Sequence, residues 1–172
     1  MKTTAAVVVA IIAVLALLYV ATAPAAPPEM TEAEIAQIEA EVTATTDALA
    51  ASWNAYDVEA FMSIFHPEKV SFAWGARVWK DHGALGDEWR TVWETGDSLR
   101  VTWTDRTVTV LTDGVAAFQG STDLTIYYDD GRILNYPGTA HWTGLFEPST
   151  EGWKMTTSAY NWGGGQRLDQ EG

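Results

Sequence analysis

The chain has 172 residues, with 23 Asp and Glu against 10 Lys and Arg, a formal charge of −13 and no cysteine. That length suits one domain with short extensions, and the lack of cysteine excludes disulfides, thiolate zinc sites, thiol catalysis and a lipid-modified cysteine anchor. A surface this acidic repels phosphate backbones and anionic lipid, which argues against nucleic acid as a partner.

Met1-Lys2 is followed by a continuous apolar run from Ala5 to Ala21 and then by Thr22-Ala23-Pro24-Ala25-Ala26-Pro27-Pro28. A positive start, an apolar centre and small residues at 23 and 25 predict a secretory signal over residues 1–25. The run also suits an uncleaved anchor. Either reading puts the domain outside the cytoplasm, secreted or periplasmic, and a membrane is a partner only if the leader stays. Residues 26–30 read as a linker, 31–162 as the domain and 163–172, with Gly163-Gly164-Gly165, as a flexible tail.

Thr31 and Glu34 fit a capping box. Ile35, Ile38, Val42, Thr45, Leu49, Trp53 and Tyr56 then recur at spacings of three and four, one apolar stripe on a long helix. Asp57 suits the cap of a second, short helix with Val58, Phe61, Met62 and Phe65 on one face, ended at His66-Pro67. Val70–Trp74 and Arg77–Trp79, divided at Gly75, predict a small hairpin. Asp81 opens a third helix with Leu85, Trp89, Val92 and Trp93, closing at Gly96. Four long strands follow, 99–111, 115–128, 133–146 and 153–162, separated by turns that contain Asp113-Gly114, Gly131 and Gly152.

Three helices with an inserted hairpin and then an antiparallel meander make an α+β chain that resembles the nuclear transport factor 2 (NTF2-like) superfamily. More narrowly, it is similar to its SnoaL-like and DUF4440-type domains. The resemblance covers roughly Glu34 to Trp162. It is carried by Trp53-Asn54-Ala55-Tyr56-Asp57, Phe65-His66-Pro67-Glu68, Gly83, Asp113-Gly114-Val115-Ala116, His141-Trp142-Thr143 and Gly152-Trp153-Lys154-Met155. It implies a cone: three N-terminal helices packed in a strongly curved, mostly antiparallel sheet, with a cavity at the open end. Enzymes, binding modules and dimerisation domains all use that scaffold.

Alternation on the third long strand puts His141, Thr143 and Leu145 on one face and Trp142, Gly144 and Phe146 on the other. Burial alone favours the second set as core. The resemblance implies the first set points into the cone, with a bulge at Pro137-Gly138 setting the register. Trp142 and Phe146 then lie on the outer face, suited to a homodimer. On the last strand Thr157, Ala159 and Asn161 take the inward positions. The first strand lacks the general-base carboxylate of the ketosteroid isomerase branch, and no Asp-Arg-Asp set of the epoxide hydrolase branch assembles. His66 and His82 read as structural or solvated, no helical metal-ligand pair is present, and neither metal nor cofactor is expected. Asp123 stands in an otherwise apolar and Thr-rich strand and reads as exposed.

The nine tryptophans bring large apolar area with one N–H donor each. The expected site is an aromatic-lined pocket of Trp53, Tyr56, Trp74, Trp93, Tyr136, His141, Thr143 and Asn161, taking a small apolar or aromatic molecule. One alternative is a proton-transfer enzyme (isomerase, dehydratase or cyclase), with His141 as base and Tyr56 or Tyr136 steadying an oxyanion. Another is an association domain with a filled cone.

Overall fold

Each helix begins on a side-chain cap that satisfies otherwise unpaired backbone donors. In the computed structural model, which describes residues 29–95, 98–128, 130–162 and 168–169, Thr31 and Glu34 form the capping box of α1 (Glu32–Ala55). Asp57 accepts from the Ala60 amide at the start of α2 (Val58–Met62). Asp81 accepts from the Ala84 amide at the start of α3 (His82–Thr95). The buried stripe of α1 is Val42, Thr46, Leu49, Ser52 and Trp53, so Thr46 rather than Thr45 faces the core. The closure of α3 at Gly96, the leader and residues 163–167 of the tail lie outside the described residues. Among those described, no helix is long and apolar enough to cross a membrane.

The strands are β1 (Ser71–Trp74), β2 (Arg77–Trp79), β3 (Ser98–Thr112), β4 (Val115–Tyr127), β5 (Ile133–Ser149), β6 (Gly152–Trp162) and β7 (Leu168–Asp169). They form one sheet in the order β2-β1-β6-β5-β4-β3, with β7 pairing β5 beside Leu134 and Asn135. Two residues of the expected tail are thus a strand. The meander β3 to β6 is antiparallel, and β1 joins β6 in parallel, Ser71 opposite Thr157. Phe65 bridges Met155 ahead of it. The result is the strongly curved α+β cone, with the inner sheet face closed over α1 and α3.

The β5 bulge forms where the sequence placed it, but it does not turn His141 inward. Thr122 pairs with Ala140 and Leu124 with Tyr136, so one residue of β4 faces three of β5. A shift by an even number preserves alternation. Gly138 takes φ +60 there, and Asp123 accepts from its amide at 2.6 Å. The lone acid of β4 therefore has a structural task. The inner set of β5 is Leu134, Ala140, Trp142 and Phe146, all buried, and the expected orientation is reversed.

Candidate functional site

Trp53, in the last turns of α1, is the centre of the cone. Its ring meets Trp89 at 4.6 Å, Trp142 and Tyr160 at 5.6 Å, Phe61 at 5.9 Å and Trp93 at 6.1 Å. Most of these contacts are edge-on, the arrangement the ring quadrupoles favour. The rings come from every layer: α1 gives Trp53, α2 Phe61, α3 Trp89 and Trp93, β5 Trp142, and β6 Tyr160. Trp74 of β1 stacks on Trp89 at 5.2 Å with planes 8° apart and is only half-buried.

This cluster carries polar atoms that the protein leaves unused. The indole Nε1 atoms of Trp53, Trp89 and Trp93 and the hydroxyls of Thr122 and Tyr160 are buried without a hydrogen-bond partner. Trp142 differs, since its Nε1 donates to Ser158 Oγ at 2.6 Å. The Thr122 and Tyr160 hydroxyls are neighbours without an aligned bond. Burial pushes the Tyr160 phenol up to about 12, with the Thr122 hydroxyl offsetting part of the effect. Tyr160 is thus neutral at physiological pH. The other buried polar side chains among the described residues are Thr46, Ser52, Thr156 and Ser158. No carboxylate, imidazole, amine or guanidinium is buried with them, so the interior offers donors and no base.

The structure brings together part of the expected site. Trp53 and Trp93 are in the cluster, Trp74 reaches it through Trp89, and Tyr56 meets Trp93 edge-on at 5.9 Å. The Tyr56 hydroxyl is committed elsewhere, because it donates to the Leu99 carbonyl at 2.8 Å and accepts from the Leu99 amide. That leaves it no proton to offer an oxyanion. Tyr136 is half-buried and packs against the core. His141, Thr143 and Asn161 are exposed on the opposite face of the sheet, where they do not reach the cone. On β6 Trp153 and Met155 are buried, and past the register shift opposite Leu145 and Phe146 the buried residues are Thr156, Ser158 and Tyr160, the phase opposite to that of Thr157 and Asn161. The association reading loses its anchors as well: Trp142 and Phe146 are 1% and 0% exposed.

His141 belongs to a polar row across the convex face, where Asp105, Ser121, His141 and Asn161 are successive cross-strand neighbours. Ser121 Oγ lies 3.1 Å from His141 Nδ1, and the two border an open pocket of about 340 Å³ with Gln119 and Thr143. His82 is half-buried rather than solvated, and its Nε2 donates to the Met62 carbonyl at 3.0 Å. His66 Nδ1 accepts from the Glu68 amide. Sequence reasoning missed Trp89, Thr122 and Tyr160 as members of the site. The signal for Tyr160 was its alternation with Ser158 and Thr156 behind Gly152-Trp153.

A family profile described as a SnoaL-like domain matches residues 42–160. A protein of the nuclear transport factor 2-like superfamily from Salmonella enterica serovar Typhimurium LT2 superposes with a TM-score of 0.67 at 13% identity, covering 80% of this chain and 98% of that one. A candidate aromatic ring hydroxylase from Novosphingobium aromaticivorans gives 0.67 at 15% identity, covering 78% and 94%. The type 2 hexachlorocyclohexane dehydrochlorinase LinA gives 0.65 at 11% identity, covering 75% and 87%. At these identities the likeness shows the fold alone. No curated protein matches the sequence at a significant level. The profile match spans most of the described domain, and the chain belongs to the SnoaL-like domain family, with the cone fold that the nuclear transport factor 2-like protein shares.

Proposed function

We propose that the domain is a binding module for a small, uncharged aromatic molecule bearing carbonyl or ether oxygens, held in the cone by Trp53, Trp89, Trp93, Thr122 and Tyr160. One observation carries this reading: three indole N–H donors are buried together without acceptors, beside a pair of hydroxyls whose one neighbour is each other. An unmet buried donor costs about 1–3 kcal/mol, and a ligand oxygen recovers much of that. The absence of a buried charge among the described residues supports a neutral ligand and binding rather than acid–base catalysis. Solved structures with this fold include a candidate dehydratase from Streptomyces avermitilis and the LinA dehydrochlorinase, both of which act on small molecules. Here His141, the one imidazole proposed as base, stands outside the cone. The rings are in contact, so entry requires them to part, and the half-buried Trp74 and Trp93 are the ones nearest solvent.

The site is further proposed to work outside the cytoplasm, a reading supported by the pattern of Met1 to Ala25 and tested by amino-terminal sequencing of the protein from its host. For the ligand, native mass spectrometry of protein from the host is expected to show a retained neutral molecule. Neutral aromatic ketones are expected to quench the tryptophan fluorescence. Trp89→Phe, which keeps a ring and removes the N–H, should weaken binding by about three- to tenfold. A bare mass together with unchanged fluorescence across the ketones would leave the cone a filled scaffold.

A further inference from the structure

Strand β3 forms one edge of the sheet, and the protein treats its two halves differently. Near the start, α1 covers the edge with side chains that imitate a neighbouring strand. Asn54 Nδ2 donates to the Val101 carbonyl at 2.9 Å and Oδ1 accepts from its amide at 2.8 Å. Tyr56 does the same for Leu99 with a single hydroxyl. Beyond Trp103 this cover ends. Among the described residues, no side chain or backbone outside β4 bonds the main chain of residues 104–111. The register shift between Trp103 and Asp105 moves the phase by one, so Arg106, Val108 and Val110 turn their N–H and C=O groups to the open side.

The uncovered segment Thr107-Val108-Thr109-Val110-Leu111-Thr112 has no charge, no proline and four β-branched residues in its first four, within a chain of net charge −13. Exposed edges are normally blunted by lysine, proline or a covering element, because they template pairing with another chain. Neither lysine, proline nor cover is present here, and a register shift between Val110 and Thr112 ends the regular ladder just past Val110. The segment is also nearly the same read in either direction. Antiparallel pairing about a twofold axis at Thr109 sets Val108 opposite Val110 within the regular strand, and brings Thr107 towards Leu111, the unpaired residue of the shift that follows. Both members of the first pair have outward-turned backbone, so each exchanges two hydrogen bonds with its partner, once on either side of the axis.

From this we infer that residues 107–112 are the seam by which two copies of this chain join their sheets edge to edge. The occupant is a second copy because the register satisfies both strands at once, as an isologous contact must. A strand pair this short buries less than the ~1,200 Å² of a standard interface, so the association is a concentration-dependent equilibrium. The two Thr109 side chains sit directly opposite on the exposed face, which makes the seam testable by charge.

Sedimentation velocity of the full-length protein over a concentration series is expected to show monomer passing to dimer. Thr109→Lys and Thr109→Glu should each raise the dissociation constant at least about tenfold, since like charges then face one another. An equimolar mixture of the two should restore association to wild-type level or better. Hydrogen exchange of the wild-type Val108 and Val110 amides, slowed only at high concentration, tests the same seam without substitution. Monomer throughout the series, a dimer that both variants leave intact, or amide exchange independent of concentration would each overturn the inference.

Discussion

Trp142 and His141 are adjacent in sequence and opposite in circumstance. The indole is 1% exposed, in contact with Trp53 and Tyr160, and bonded through Nε1 to Ser158; the imidazole is exposed beside Ser121. Replacing a buried tryptophan by alanine costs about 3–5 kcal/mol. Trp142→Ala is therefore expected to lower the unfolding free energy by that much in urea titration, and His141→Ala to stay within about 0.5 kcal/mol of wild type. Their assignment was legible in side-chain area alone, since two bulky aromatics outweigh an imidazole, a threonine and a leucine. The family pattern points the opposite set inward, and a bulge of one residue at Pro137-Gly138 would have given that phase. Nothing in Pro137-Gly138 tells a two-residue shift from a one-residue shift, for that depends on how many residues Asp123 faces across the ladder.

Elements were the most readable level, because caps and turns are local chemistry. Thr31, Asp57 and Asp81 mark helix starts wherever they occur in a chain, and Gly152 at φ +95 marks a turn that few other residues tolerate. What joins the elements was not readable. Asn54 sits next to Trp53 on α1, and nothing in the neighbourhood signals that its amide pairs with a strand 47 positions away. That clamp orders the end of the helix against β3 by two hydrogen bonds of good length. Asn54→Ala leaves the Val101 amide and carbonyl without these partners, and a loss of about 1–3 kcal/mol is expected. Hydrogen exchange checks the cause as well as the size: the Val101 amide should become fast, while amides within the β4–β5 ladder keep their protection.

At the scale of the whole molecule, the fold class and the aromatic interior followed from composition and order, whereas among the described residues no charged side chain is part of the core. The described buried residues include one titratable group, Tyr160. Its ordinary value of 10.0 is pushed to about 12 by burial, so the folded state holds that proton more firmly than the unfolded chain. The stabilisation is complete below pH 10 and is lost as pH rises through 12. Wild type minus Tyr160→Phe, compared by chemical denaturation from pH 8 to 12, should therefore be flat up to pH 10. It should then fall by on the order of 2 kcal/mol.

The parallel junction of β1 with β6 ties residues 71–74 to residues 157–160. Strand β1 thus waits for β6, more than eighty residues later in the chain, before its inner ladder can close, and long-range pairing of this kind slows folding. A growing chain consequently keeps the indoles of the cone wet until β6 has been made, and a nascent fragment ending before residue 157 lacks the strand that joins β1 to the meander.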